Sequence, residues 1–160
     1  MWGHKGWFVM GGAALLAVGA CARTAAVTPG VPGVLAGATA QDAGAPTGRG
    51  AVEAFMAGVA AQDLRRMASV WGTARGPARL TLPAEELEKR LIVIQCLLSH
   101  DRWRFAEERA RLSSGGRQDW LVEVRREPRS ARTLFTTVQA SDGAWFVEDL
   151  QVAPLQEFCR

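Results

Sequence analysis

The 160 residues give room for one domain of ordinary size, and a hydrophobic share of 48% excludes an intrinsically disordered chain. The 19 basic and 16 acidic side chains leave a formal net charge of +3, too balanced for a nucleic-acid partner. After Lys5 the only lysine is Lys89, so the basic charge is almost wholly arginine, which reads as coding bias rather than a phosphate-binding design.

Residues 1–20 have the layout of a secretory signal. Lys5 and the free amine precede an uncharged run from Trp7 to Ala20, with an apolar centre at Ala13, Ala14, Leu15, Leu16, Ala17 and Val18. The run contains Gly11 and Gly12 and gives way to Arg23, short of the about 20 apolar residues that a spanning helix needs. A permanent transmembrane anchor is the weaker reading. Val18, Gly19, Ala20 and Cys21 then resemble the lipobox of bacterial lipoproteins, an aliphatic residue and two small ones before a cysteine. That resemblance implies cleavage before Cys21, lipidation of its thiol, and a membrane-anchored protein of the cell envelope facing the periplasm or the cell exterior. Several acyl chains, at roughly 0.8 kcal/mol per buried methylene, hold stably where one chain holds marginally. The alternative is an ordinary cut after Ala22, since Ala20, Cys21 and Ala22 also have the small-x-small form.

After the cysteine, residues 21–50 are expected to be a flexible tether. Glycine, proline and alanine dominate, no aromatic residue occurs, and only Arg23, Asp42 and Arg49 are charged, so burial cannot offset the entropy of ordering. A coil of this length spans roughly 30 Å on average. The apolar run Val31 to Leu35 is read as plain linker rather than as a pairing segment.

Residues 51–160 are expected to form the domain. Val52, Phe55, Met56 and Val59 recur at helical spacing and predict a first helix, with Glu53 and Gln62 in water. Asp63 stands as the N-cap of a second, shorter helix carrying Leu64, Met67, Val70 and Trp71 and ended by Gly72. Residues 75–82 read as a connection. A third helix follows over about Pro83 to Ser99, with Leu87, Leu91, Ile94 and Leu98 on one face and Glu85, Glu86 and Glu88 complementing the dipole at its start. Because Ile92, Val93, Ile94, Cys96, Leu97 and Leu98 are apolar almost all round, this end should be the most buried part. Beyond it the period becomes two, predicting strands over 103–112, 119–126, 132–139 and 144–152. Pro128 and the pair Asp142-Gly143 mark turns between them. The class is α+β: three helices followed by a bent antiparallel sheet of about four strands.

The opening AVEAFMAGVAAQDLRRMASVWG and the closing DGAWFVEDLQV resemble the first helices and the last strand of the nuclear transport factor 2-like superfamily, of the SnoaL-like kind. The resemblance covers about a third of the domain. It implies a cone in which a bent sheet wraps the long helix, with a pocket between them in some members. Strands often found between the second and third helices of that superfamily are hard to place in 75–82, which shortens one wall of such a cone.

Enzymes of the superfamily use pocket carboxylates with tyrosine or histidine partners, and this chain has no tyrosine. His100, beside Asp101 at a helix end, is expected to cap or face solvent. With one histidine beyond the signal segment, a histidine-rich metal site or a serine-histidine-aspartate arrangement lacks its parts, and neither metal nor cofactor is expected. Asp149 is the catalytic candidate, because alternation from Trp145 and Val147 puts it on their face of the last strand, where desolvation would raise its pKa. A β-bulge or an arginine partner would instead turn it to solvent or make it structural. Arg104, Glu107, Glu108, Arg109, Arg111, Glu123, Arg125, Arg126 and Arg132 read as cross-strand pairs on a solvated face, with a partner-binding surface as the alternative. Trp103, Trp120 and Trp145 fall one per strand and read as core, with a pocket lining as the alternative. Cys96 and Cys159 are expected to form a disulfide, since two thiols remain outside the cytoplasm once Cys21 is lipidated; free thiols or pairing of Cys159 between molecules are the alternatives.

The leading functional reading is a membrane-tethered, non-catalytic domain that binds an envelope protein, a peptide or a small apolar ligand. The alternatives are a small enzyme of the polyketide cyclase or ketosteroid isomerase type, and a structural module that dimerises through the sheet.

Overall fold

The computed structural model describes residues 43–160, so the expected signal segment, Cys21 and the expected tether as far as residue 42 lie outside the described residues. Helix α1 (Gly48–Ala61) forms where the apolar spacing brings Val52, Phe55, Met56 and Val59 to one side, and all four are buried. Each such side chain contributes roughly 1.5–3 kcal/mol on leaving water. Thr47 caps the start by accepting a hydrogen bond from the Gly50 amide. At the other end Gln62 turns left-handed, with φ 53°, and its amide returns to the carbonyls of Gly58 and Val59.

The tether expected through residue 50 stops sooner. The amide of Ala45 donates to the Trp145 carbonyl at 2.9 Å and the Trp145 amide donates back at 2.8 Å, which fixes this segment to the sheet. Gly48 then lies so close to the sheet that a Cβ would meet Gln118 Oε1 at 2.5 Å and Thr137 Oγ1 at 2.6 Å. Residues 45–50 are part of the packed body.

Asp63 caps α2 (Leu64–Ser69) by accepting from the Arg66 amide at 3.0 Å. The helix ends before Trp71 and Gly72, because Trp71 pairs in a parallel bridge with Val147 and Gly72 opens a strand. That strand, β1 (Gly72–Thr73), pairs antiparallel with β2 (Gly76–Pro77), and a 3-10 turn follows at Ala78–Leu80. The expected plain connection therefore holds a short hairpin. Helix α3 (Ala84–Leu97) buries Leu87, Leu91 and Ile94, and Leu98 beyond its last turn is buried too. Its end is not the most buried part of the chain: Ile92 is 49% and Val93 57% exposed. Neighbours reach only the side of the stripe, where α2, the 3-10 turn before α3 and the last segment of the chain pack.

Five strands form one antiparallel sheet: β3 (Arg102–Phe105), β4 (Arg111–Ser113), β5 (Arg117–Arg126), β6 (Arg129–Gln139) and β7 (Trp145–Leu150). The order is β3-β5-β6-β7, and β4 lies on the same edge of β5 as β3, with Trp103 opposite Val124 and Leu112 opposite Gln118. The single strand expected over 103–112 is thus broken at 106–110. Glu107, Glu108 and Arg109 give that stretch no bulky apolar side chain to hold it on the sheet. The described residues are α+β, and the count of five strands rather than four comes from this break. The chain then closes with a 3-10 helix, Ala153–Cys159, whose Leu155 and Phe158 are buried. A disulfide joins Cys159 to Cys96 of α3, with their Cα atoms 5.2 Å apart.

Candidate functional site

The layer around Phe55 between α1 and the sheet is packed, while two clefts open at the start of α1, one of about 610 Å³ beside Arg49, Glu53, Trp103 and Phe105 and one of about 290 Å³ beside Thr47, Gln118, Trp120 and Trp145. Phe55 lies 5.5 Å from Trp71 and 6.1 Å from Phe135 between ring centroids, and Trp120, Val122 and Val124 complete this layer. Its buried polar groups satisfy one another: Thr133 donates to the Gln151 carbonyl at 2.7 Å, and Trp120 Nε1 donates to Thr137 Oγ1 at 3.1 Å. Glu123 is the one buried carboxylate among the described residues, and it points to the opposite face of the sheet.

An apolar opening lies between α3 and the end of β7. Trp71, Val93, Ile94, Leu150 and Val152 line a cleft of about 500 Å³, with Lys89, Arg90 and Asp149 at its margin. Helical geometry puts Lys89, Arg90, Val93 and Ile94 on adjacent positions of two turns, so the charged ends flank an aliphatic floor. Lys89 and Arg90 are paired with Glu85 and Glu86 at 2.7 and 2.8 Å, and these exposed pairs leave the floor as the distinctive surface. The cleft is broad and open to solvent, whereas sites for small molecules enclose most of the ligand. An aliphatic surface of a partner suits it better.

Asp149 does not share the face of Val147. A register shift at Thr136 and Thr137 makes Glu148 an extra residue, so Val147 pairs with Thr137 and Asp149 with Thr136. Asp149 joins the outer row of Asp119 and Thr136, and it is exposed. The expected pocket carboxylate is therefore a marginal group of the α3 cleft, close to no buried polar partner. Glu148 itself is taken by Arg117 Nη2 at 3.0 Å. His100 Nδ1 donates to the Leu98 carbonyl at 2.8 Å and closes the end of α3. Asp63 caps α2. Among the described residues no group of three histidine, cysteine, aspartate or glutamate side chains is placed to hold a metal ion.

The three strand tryptophans part company. Trp120 is buried, while Trp103 and Trp145 are partly buried and pack against the core. Trp103, Phe105 and Trp120 form a row with centroids 5.3 and 5.4 Å apart, and Arg49 stacks 4.1 Å from the centre of the Phe105 ring. The row lies at the foot of α1, where Arg49 covers it.

Of the strand arginines and glutamates, Arg104, Glu123, Arg125 and Arg132 meet on the outer face, whereas Arg126 donates to the Phe158 carbonyl at 2.7 Å. Arg104 Nη2 and Arg125 Nε each donate to Glu123 at 2.7 Å, and Arg132 Nε stands 3.9 Å from the same carboxylate. The hydrogen bond from Arg125, with the charge of Arg104, holds the Glu123 carboxyl below the ordinary glutamate range. Arg111 likewise lowers Glu107 across the break in the strand.

Sequence reasoning did not foresee the α3 cleft. Ile92 and Val93 fall off the stripe of Leu87, Leu91, Ile94 and Leu98, and apolar residues off the buried stripe were the available signal. Comparison with protein-family models, with curated proteins and with solved structures returns no match.

Proposed function

We propose that this chain is a membrane-tethered, non-catalytic binding domain of the bacterial cell envelope, held by acyl chains on Cys21, that receives aliphatic side chains of a partner protein in the α3 cleft. The observation that carries the binding half is the open apolar floor at Val93, Ile94, Leu150 and Val152, beside the packed layer around Phe55. The tether half rests on the sequence Val18 to Cys21. The order of helices and strands is compatible with a cone of the nuclear transport factor 2-like kind, and in this reading the cone is packed around Phe55. An isomerase or cyclase role is less well supported, because Asp149 faces outward beside no second buried polar group.

Two measurements test the proposal. Mass spectrometry of the mature amino terminus is expected to find an acylated Cys21, and Cys21→Ser to move the exported protein out of the membrane fraction; an unmodified terminus at Arg23 would sink the lipoprotein half. For the cleft, the uncharged dye Nile red is expected to brighten on the native chain and to lose most of that gain with Val93→Asp. Equal brightening by both proteins would place apolar binding elsewhere.

A further inference from the structure

The outer face of the sheet carries a cluster that the α3 cleft does not use. Arg104, Glu123 and Arg132 stand in one cross-strand row, and Arg102 and Arg125 stand opposite each other on the same face. Three guanidiniums share Glu123 as described above, and Arg102 Nη2 reaches Glu127 at 3.1 Å. The Glu123 side chain is only 6% exposed, whereas those of Arg102, Arg104 and Arg132 are 64–65% exposed. The carboxylate therefore lies at the base and holds the guanidiniums by their inner edges. Their outer N–H groups face water, and four positive charges meet three negative ones, Glu123, Glu127 and Asp101, which accepts from the Glu127 amide at 2.9 Å. A depression of about 270 Å³ is lined by Arg102, Arg104, Arg125 and Glu123, with Trp103 between the two β3 arginines in the chain.

We propose that this arginine face rests on the anionic phosphate headgroups of the membrane to which the chain is tethered. Guanidinium groups pair with phosphate oxygens in a two-pronged geometry and are weakly hydrated for their charge, so contact costs little water. Glu123 pre-orders them, which reduces the side-chain entropy lost on contact. The charges are spread over β3, β5 and β6 on the face opposite the one that packs on Phe55 of α1, a shape that fits an extended anionic surface better than one enclosed ligand. One uncompensated charge, favouring an anionic leaflet by the usual amount per arginine, corresponds to roughly a fivefold preference at low salt. Such an attachment is weak and reversible, and it orients a body that acyl chains already keep close. The proposal rests on the tethered reading only for the presence of a membrane.

The test uses the mature chain from residue 21 with Cys21→Ser, so that no acyl chain contributes and the two readings fail separately. Co-sedimentation is measured with vesicles of phosphatidylglycerol and phosphatidylcholine in equal parts, and with phosphatidylcholine alone. The expected result is roughly a fivefold preference for the anionic vesicles in 50 mM salt, lost in 300 mM salt. Arg104→Gln with Arg132→Gln is expected to abolish the preference at unchanged circular dichroism. A control removing the same charge elsewhere, Arg66→Gln with Arg75→Gln, is expected to retain it; both residues are exposed and remote in sequence from the sheet. Equal binding to both vesicles would overturn the proposal and point to apolar contact through the α3 cleft. Equal loss in the two double variants would overturn it in favour of diffuse net charge.

Discussion

Helices α1 and α3 are each 14 residues long and each carry an apolar stripe, yet they end in different surroundings. In α1 the stripe is accompanied by small residues, Gly48, Ala51 and Gly58, all buried. At Gly58 an added Cβ would meet Met67 Cγ at 2.8 Å, so the missing side chain is what lets α2 approach. The helix is thereby gripped on two sides, by α2 and by the sheet. In α3 the stripe is flanked by Glu88, Lys89 and Arg90 below and by bulky Ile92 and Val93 above, and neighbours reach one side only. The same hydrophobicity makes a core in one helix and an open wall in the other. Small residues beside the stripe, more than the stripe itself, mark the helix that becomes central.

This contrast can be broken by substitution. Phe55→Ala removes the ring that touches both Trp71 and Phe135, and with no route for the surrounding layer to collapse it is expected to cost about 3–5 kcal/mol. Denaturant unfolding checks it, and a loss under about 1 kcal/mol would mean that the α1 layer is looser than the distances indicate. The pair Ile92→Ser and Val93→Ser lies at the other extreme. Being about half exposed already, these residues are expected to change stability by less than about 0.5 kcal/mol each. A much larger, concentration-dependent loss would show that the face is covered by a second copy, and the contrast between the helices would then hold only for the monomer.

What could be read from residues alone follows the range of the forces involved. The α1 stripe, the Asp63 cap and the turn at Asp142-Gly143, where Asp142 accepts from the Ala144 amide at 3.0 Å, depend on neighbours within a few positions. Features set by distant partners were hidden. Trp71 leaves the helical pattern because Val147, far along the chain, offers it a bridge. Asp149 changes face because one extra residue, Glu148, enters the pairing with β6, and Arg117 is placed to take its charge. Strict alternation counts residues and is blind to such an insertion. The exposure of Ile92 and Val93 was hidden for a related reason: the amino-acid pattern states what can be buried, and only the packing partners decide what is. The arginine network was half legible. Alternation placed Arg104, Glu123, Arg125 and Arg132 on one face, but the convergence of three of them on one sheltered carboxylate is a matter of register between three strands.

The bond between Cys96 and Cys159 closes a ring of chain, and all five strands of the sheet lie within it, from Arg102 in β3 to Leu150 in β7. A protease that cuts a surface loop inside this ring, such as 106–110 or the turn at Ser141 to Gly143, opens the ring without releasing a piece. Both new ends stay covalently attached to α3, and through it to everything before it, so the nicked sheet reassembles as one molecule and not two. Damage of this kind is retained rather than shed.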